Sequence, residues 1–300
     1  MNNGQHILHE DESAAEAYEA LGAGRFAEAD LILEQALQQA RLTGQAHEID
    51  RALCRRAAAA IEVGKGDHFI KDLREILLRS SSHESCYLAA SVLARSYDIK
   101  SAYKKALFYA RLASGRAQLA GRNDWLATSH NLIGNQLLAE SFFEEACREY
   151  ELALRLAPSE AGTRRAIIKD NLGYCYVVQG RHTEGFRLLV ESYRTFRKAG
   201  ATRYSVGPSL SLAYAYLEMA CPEKALRRGR STLALAECVG DTHAVKNSLY
   251  ILGEAANLLG DTRLARSYFS RLQQDYYPGA GYLPDFLLAI DVRKLVNLKA

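Results

Sequence analysis

Apolar and polar positions follow one another along this chain with the spacing of amphipathic helices, and the pattern pauses at regular intervals. Residues 129–158 show it most clearly, because Leu132, Ile133 and Leu137 precede a short polar break at Glu140–Ser141 and a second helical run. Apolar residues three and four positions apart lie on one face of a helix. The pattern therefore predicts two helices joined by a tight turn.

This two-helix pattern repeats along nearly the whole chain. Small residues recur in each first helix about every 40 residues, at Ala17, Ala57, Ala94, Gly134, Gly173, Ala213 and Gly253. A second series in the second helices runs Ala29, Phe69, Ala106, Ala146, Gly185, Ala225 and Ala265. Series with one shared period predict seven helix-turn-helix repeats that pack on their neighbours.

Glycines mark both kinds of turn in this pattern. The break between the two helices of a repeat often carries glycine, at Gly24, Gly64, Gly180 and Gly260. Glycines also follow the second helices, at Gly44, Gly121, Gly162, Gly200 and Gly240. Glycine there can adopt the left-handed conformation that ends a helix. Asn123 with Asp124, and Asp241 with Thr242, are then candidate N-caps for the next helix.

These residues resemble the tetratricopeptide repeat (TPR) family, whose unit has small residues at two fixed positions, apolar residues around them and often a proline near its end. One match comprises Ile133, Gly134, Leu137, Ala146, Tyr150, Ala153 and Pro158. Another comprises Leu252, Gly253, Ala256, Gly260, Ala265, Phe269 and Leu272. The period exceeds the usual ~34 residues. Long helices of this kind occur in bacterial peptide receptors of the quorum-sensing type and in kinesin light chains.

The resemblance implies an all-α fold, a right-handed superhelical α-solenoid of about seven TPR-like repeats with a C-terminal capping helix. Residues 1–9 are expected to form a disordered tail, residues 10–282 the solenoid and residues 283–300 the capping helix. The alternative for the last of these is a mobile, partner-binding helix. The second repeat is degenerate, because residues 79–85 lack the usual glycine cap, which suggests a looser junction and a possible hinge.

In TPR proteins the first helix of each repeat lines a concave groove, and the family's inward positions imply the binding residues here. Those are Arg95, Asn131, Asn135, Asp170, Asn171, Tyr174, Tyr214, Asn247, Tyr250 and Asn257. An asparagine side chain both donates and accepts hydrogen bonds, and tyrosine adds rigid apolar area with a polar tip. Such a groove can hold an extended peptide backbone. The alternative is that these are ordinary solvated or packing residues.

The carboxylate clamp of co-chaperones is the best-known binding scheme of the family, and this chain departs from it. Asn135 and Asn171 fall on its two asparagine positions, but Asn131, Gly207 and Ser211 stand where its three cations would be. A terminal carboxylate would lack the charges that compensate its desolvation. We therefore expect no binding of chaperone C-terminal tails.

Composition and motifs narrow the function further. The formal net charge is +3, and the inward positions carry acids as well as Arg95, which is not the basic stripe of a nucleic-acid binder. The eight histidines form no metal-binding pair, and no phosphate-binding or nucleophile motif occurs. We expect no enzyme activity, no cofactor and no metal.

Location is indicated by the cysteines and by the lack of targeting signals. The six cysteines lie more than ten residues apart, which is not a metal or redox spacing, and most have apolar neighbours. The first residues lack a signal-peptide pattern, and no apolar stretch is long enough to span a membrane. We expect a cytoplasmic protein that binds neither nucleic acid nor membrane, with its oligomeric state left open.

Two functions remain. In the first, a partner protein or extended peptide enters the groove, and the protein acts as a sensor or regulator of a separate effector. In the second, it is a static adaptor or scaffold in a multiprotein assembly. The long repeat period and the set of inward asparagines favour the first.

Overall fold

The computed structural model describes the backbone of residues 3–293 and 295–299 and the side chains from residue 13 onward. Within these ranges the chain forms fifteen α-helices and two short 3-10 helices, with no β-strand. The helices pack in consecutive pairs, so the predicted all-α fold of helix-turn-helix repeats is confirmed. None of the described helices combines the length and hydropathy needed to cross a lipid bilayer.

The chain divides into two compact units, residues 1–164 (the N-terminal unit) and residues 165–300 (the C-terminal unit). The N-terminal unit holds α1 (Asn3–Gly22), α2 (Phe26–Thr43), α3 (Ala46–Glu62), α4 (Ile70–Arg79), α5 (His83–Ile99), α6 (Tyr103–Leu119), α7 (Asn123–Ala139) and α8 (Phe143–Leu156). A 3-10 helix at Asp67–Phe69 precedes α4.

Most of α9 (Gly162–Val178) and all later helices belong to the C-terminal unit. They are α10 (His182–Lys198), α11 (Val206–Glu218), α12 (Pro222–Val239), α13 (Thr242–Leu258), α14 (Thr262–Tyr276) and α15 (Leu283–Ala289). The second 3-10 helix, Arg203–Ser205, leads into α11. The first helix of each repeat has an odd number from α1 to α13, and the second has an even number.

The small residues lie where the two helices of a repeat touch. A Cβ placed on Gly134 of α7 would lie 2.6–2.9 Å from ring atoms of Tyr150 on α8. Gly253 of α13 faces the Phe269 ring of α14 in the same way. Tyr150 and Phe269 are both fully buried. The missing side chain therefore makes room for an aromatic ring from the partner helix.

The turns inside the repeats share one left-handed residue. It is a glycine at Gly24, Gly64, Gly180 and Gly260, and a larger residue at Ser101, Ser141 and Ala220, all with positive φ. The three larger residues show that the turn geometry is kept where the glycine signal is missing.

The glycines that follow the second helices behave as predicted with one exception. Gly44, Gly121, Gly200 and Gly240 have positive φ, but Gly162 is the first residue of α9. Helix α8 ends early, before Pro158, so Gly162 falls beyond the turn. Of the predicted N-caps, Asp241 accepts a hydrogen bond from the Ala244 amide at 2.9 Å.

The other predicted N-cap is not used, because α7 begins at Asn123 with Arg122 as its N-cap residue. Asp124 is paired with Arg122 instead. The degenerate junction of the second repeat is closed by a serine, since Ser82 caps α5 by accepting from the Ser85 amide at 3.2 Å.

The two ends of the chain differ from their predicted boundaries. Helix α1 begins at Asn3, where a disordered tail was expected over residues 1–9, because the residues after Gly4 contain no helix breaker. Met1 and Asn2 lie outside the described residues. Helix α15 ends at Ala289 instead of continuing to residue 300, and Ile290 is extended, with φ −127° and ψ 127°. Residues 290–293 and 295–299, here called the C-terminal segment, form turns but no helix or strand.

Candidate functional site

The first helices of the C-terminal unit present several of the predicted binding residues to the C-terminal segment. Helix α9 contributes Asp170 and Tyr174, α11 contributes Tyr214, and α13 contributes Asn247 and Tyr250. All five side chains are buried. We call the surface that carries them the first-helix wall.

Both backbone polar groups of one residue in the C-terminal segment, Leu298, are held by the wall. The Leu298 amide donates to the Tyr174 hydroxyl, and the Asn247 side-chain amide donates to the Leu298 carbonyl, both at 2.9 Å. The Tyr174 hydroxyl in turn donates to Oδ1 of Asn297 at 3.3 Å. Leu298 itself is only 1% exposed. A tyrosine and an asparagine thus satisfy both backbone groups of a buried residue without reading its side chain.

A charged pair lies beside the Leu298 backbone. Nζ of Lys299 donates to Oδ2 of Asp170 at 2.9 Å, and the Ser211 hydroxyl donates to the other carboxylate oxygen at 2.8 Å. The ammonium group also lies 5.8 Å from the centre of the Tyr174 ring. Gly207 leaves space for the carboxylate, since a Cβ there would lie 2.9 Å from Oδ2 of Asp170. The wall therefore offers a buried, hydrogen-bonded anion to a cation.

Further along the wall, acidic and tyrosine side chains lie near Arg293. Arg293 is paired with Asp291 of its own segment, with Nε 2.9 Å from Oδ1. Glu254 of α13 is 3% exposed, and burial followed by the nearby Asp291 charge raises its pKa to about 7, against the opposing effect of Arg293. Burial also raises the pKa of Tyr214 and of Tyr250. Within the described residues, neither Oε1 of Glu254 nor the Tyr250 hydroxyl has a hydrogen-bond partner.

Comparison with known proteins rests on structure. No protein-family model and no curated protein matches the sequence. A Rap protein solved in complex with competence and sporulation factor is similar over 95% of this chain and 78% of its own, with a TM-score of 0.69 and 10% identity. BtubC from P. vanneervenii is similar over 76% of this chain and 93% of its own, with a TM-score of 0.54 and 19% identity.

A third solved structure names its repeats. The signal-transduction ATPase with a tetratricopeptide repeat sensor from Pyrococcus horikoshii is similar over 92% of this chain and 44% of its own, with a TM-score of 0.55 and 15% identity. The chain has the tetratricopeptide-repeat fold. The TPR resemblance drawn from the small-residue series is confirmed at the level of the fold.

The remaining predicted residues lie in different surroundings. In the C-terminal unit, Asn257 donates to the Leu288 carbonyl at 3.4 Å, and Asn171 is half-buried on α9. In the N-terminal unit, Arg95 is exposed and paired with Glu62, and Asn131 is buried. Asn135 accepts a hydrogen bond from the Tyr150 hydroxyl at 2.9 Å. Within the C-terminal unit, the structure gathers the five residues of the first-helix wall around one segment.

Sequence reasoning did not identify three residues that contribute to the contacts at the first-helix wall. Ser211 was noted only as an absent cation, and Lys299 and Leu298 were assigned to a capping helix. The signal for Ser211 was its position 41 residues after Asp170, which is close to the repeat period. Lys299 and Leu298 had no such signal, because their contacts span more than 120 residues of sequence.

The described residues show no metal site and no disulfide. No group of three or more histidine, cysteine, aspartate or glutamate side chains is arranged to hold a metal ion within the described part of the chain. None of the six cysteines forms a disulfide, and Cys54, Cys86, Cys147 and Cys175 are buried. Burial raises the pKa of the Cys54 thiol, which keeps it protonated and unreactive.

Proposed function

We propose that this protein captures a partner protein through an extended peptide segment, which binds along the first helices of its repeats. The observation that carries the proposal is the backbone of Leu298, whose amide donates to Tyr174 and whose carbonyl accepts from Asn247. Backbone groups are common to every peptide, so a wall that satisfies them accepts an extended chain with limited demands on its sequence.

We propose further that binding informs a separate effector, so the protein acts as a sensor or regulator. Support comes from the likeness to a Rap protein solved with a signalling factor and to an ATPase whose TPR part is a sensor. None of the six cysteines forms a disulfide, and this supports a reducing compartment such as the cytoplasm. A sensor is expected to change its radius of gyration in solution X-ray scattering when a peptide binds, whereas a static adaptor need not.

A peptide-display selection on the full chain tests the proposal. The selected peptides are measured in a chain that carries Leu298→Asp, which puts a charge in a buried apolar position and so releases the chain's own segment from the wall. In this background Asn247→Ala should lower their affinity at least roughly ten-fold, because an unmet peptide carbonyl costs ~1–3 kcal/mol. Gln274→Ala in the same background is the matched control, since Gln274 is exposed on the second helix α14. Selected peptides that bind equally with and without Asn247→Ala in this background would contradict the proposal.

A further inference from the structure

The C-terminal segment is bound in the way that a peptide ligand would be bound. It leaves α15 at Ile290, runs without regular structure and places Leu298 in a fully buried position against α9 and α13. Its contacts with the wall include the Leu298 backbone and side chain, the Asn297 side chain and the Lys299 ammonium group. A short, non-helical peptide from a partner could make the same contacts.

The charge of the wall selects what can lie there. Asp170 is 7% exposed and receives Lys299 and Ser211, while Glu218 and Glu254 both act on Arg293 further along. A buried carboxylate is costly unless a cation and hydrogen bonds compensate it. An acidic peptide would leave Asp170 unpaired next to another negative charge.

We infer that the first-helix wall is a binding site for short, non-helical basic peptides carrying a lysine or arginine directly after a buried apolar residue, and that the C-terminal segment occupies this site as an internal ligand. The inference deepens the proposed function and rests on it. A partner segment must displace residues 297–299. A tethered competitor acts at a high effective concentration, so it lowers the apparent affinity for every partner.

Displacement is tested with the full chain and a labelled synthetic peptide of residues 290–300, read by fluorescence anisotropy. Leu298→Asp should free the wall, because it puts a charge in a buried apolar position, and the variant should bind the peptide at least roughly ten-fold more tightly than the wild type. Leu295→Asp is the matched control, since Leu295 is 83% exposed in the same segment. It should bind the peptide as weakly as the wild type does.

A second variant guards against loss of folding in Leu298→Asp. Lys299→Glu changes a partly exposed side chain and sets two carboxylates against each other at Asp170. It should also increase binding of the labelled peptide, and circular dichroism should show an unchanged helix content. If both variants are folded and neither binds the peptide more tightly than Leu295→Asp does, the inference is overturned.

The lysine preference has its own measurement in the Leu298→Asp chain. A peptide with alanine in place of Lys299 should bind roughly ten-fold more weakly, and Asp170→Asn should abolish that difference. An equal loss in both backgrounds would contradict recognition of the lysine by Asp170. If display-selected peptides still depend on Asn247 while the 290–300 peptide fails to bind, the inference fails and the proposed function stands. If the selected peptides are also insensitive to Asn247→Ala, the proposed function fails too.

Discussion

At the scale of single residues, the most specific packing prediction from the sequence concerned the small positions. The series containing Gly134 was visible because a missing side chain recurs at a fixed period. The structure adds the reason, which is the Tyr150 ring packed directly against the glycine. The polar roles were harder to foresee. Asn135 was predicted to face a ligand, but it accepts a hydrogen bond from Tyr150. No sequence pattern predicts this hydrogen bond.

Gly134→Ala is predicted to lower the free energy of unfolding by ~1–3 kcal/mol, because the added methyl group would overlap the buried Tyr150 ring. Urea denaturation followed by circular dichroism measures it. Gly115→Ala is the matched control, since Gly115 is exposed within α6 and a Cβ there meets nothing within 4 Å. That variant should gain ~0.5–1 kcal/mol from helix propensity. Equal effects of the two substitutions would refute the packing role of Gly134.

Glu254 is predicted to make stability depend on pH. Its folded-state pKa of about 7 lies above the ordinary value of 4.5, so the folded protein holds this proton more tightly than the unfolded chain does. The stabilisation is fully present below about pH 4.5 and is lost as pH rises through about 7, by roughly 3 kcal/mol in all. Glu254→Gln should remove this part of the pH dependence.

Urea titrations between pH 5 and pH 8 measure the effect of Glu254. The groups that face it are Asp291 and Arg293 of the C-terminal segment. Tyr250 on its own helix feels its charge. Exposed Glu223→Gln on α12 serves as the control and should leave the pH dependence unchanged. A pH dependence that persists in Glu254→Gln would show that other groups cause it.

At the scale of elements, helix number and pairing were predictable, because periodicity of apolar residues reports directly on a buried face. The ends of the helices were harder to predict. Residues 283–300 carry apolar residues at helical spacing, yet α15 stops at Ala289. The backbone of the C-terminal segment bonds instead with Tyr174 and Asn247, and a tertiary contact of this range overrides a local preference.

The turns inside the repeats give a prediction at this scale. Ala220 has φ 53°, a left-handed conformation that costs a residue with a Cβ ~1–2 kcal/mol and costs glycine little. Ala220→Gly is therefore expected to raise the free energy of unfolding by roughly 1 kcal/mol. Ala199→Gly, at φ −80° after α10, is the same substitution in an ordinary conformation and should not stabilise. Thermal and urea denaturation compare the two, and a loss of stability in Ala220→Gly would contradict the argument.

At the scale of the whole molecule, the first helices of the C-terminal unit carry the wall, and residues 297–299 of the same chain bind there. The wall could be predicted, because a repeat fold assigns inward positions to each first helix. Its occupant could not, because Lys299 and Asp170 are joined by folding and not by any spacing in sequence. Separate partner capture by the N-terminal unit, through Arg95, Asn131 and Asn135, stays a proposal.

Amide hydrogen exchange at Leu298, read by NMR, tests most directly whether the wall holds a peptide backbone. This amide donates to the Tyr174 hydroxyl in a buried position, so it should exchange slowly in the wild type. Tyr174→Phe removes the acceptor and should speed exchange at Leu298 by at least roughly ten-fold, while buried amides in α13 stay protected. Rapid exchange at Leu298 in the wild-type protein, in a chain whose helices are protected, would contradict the account.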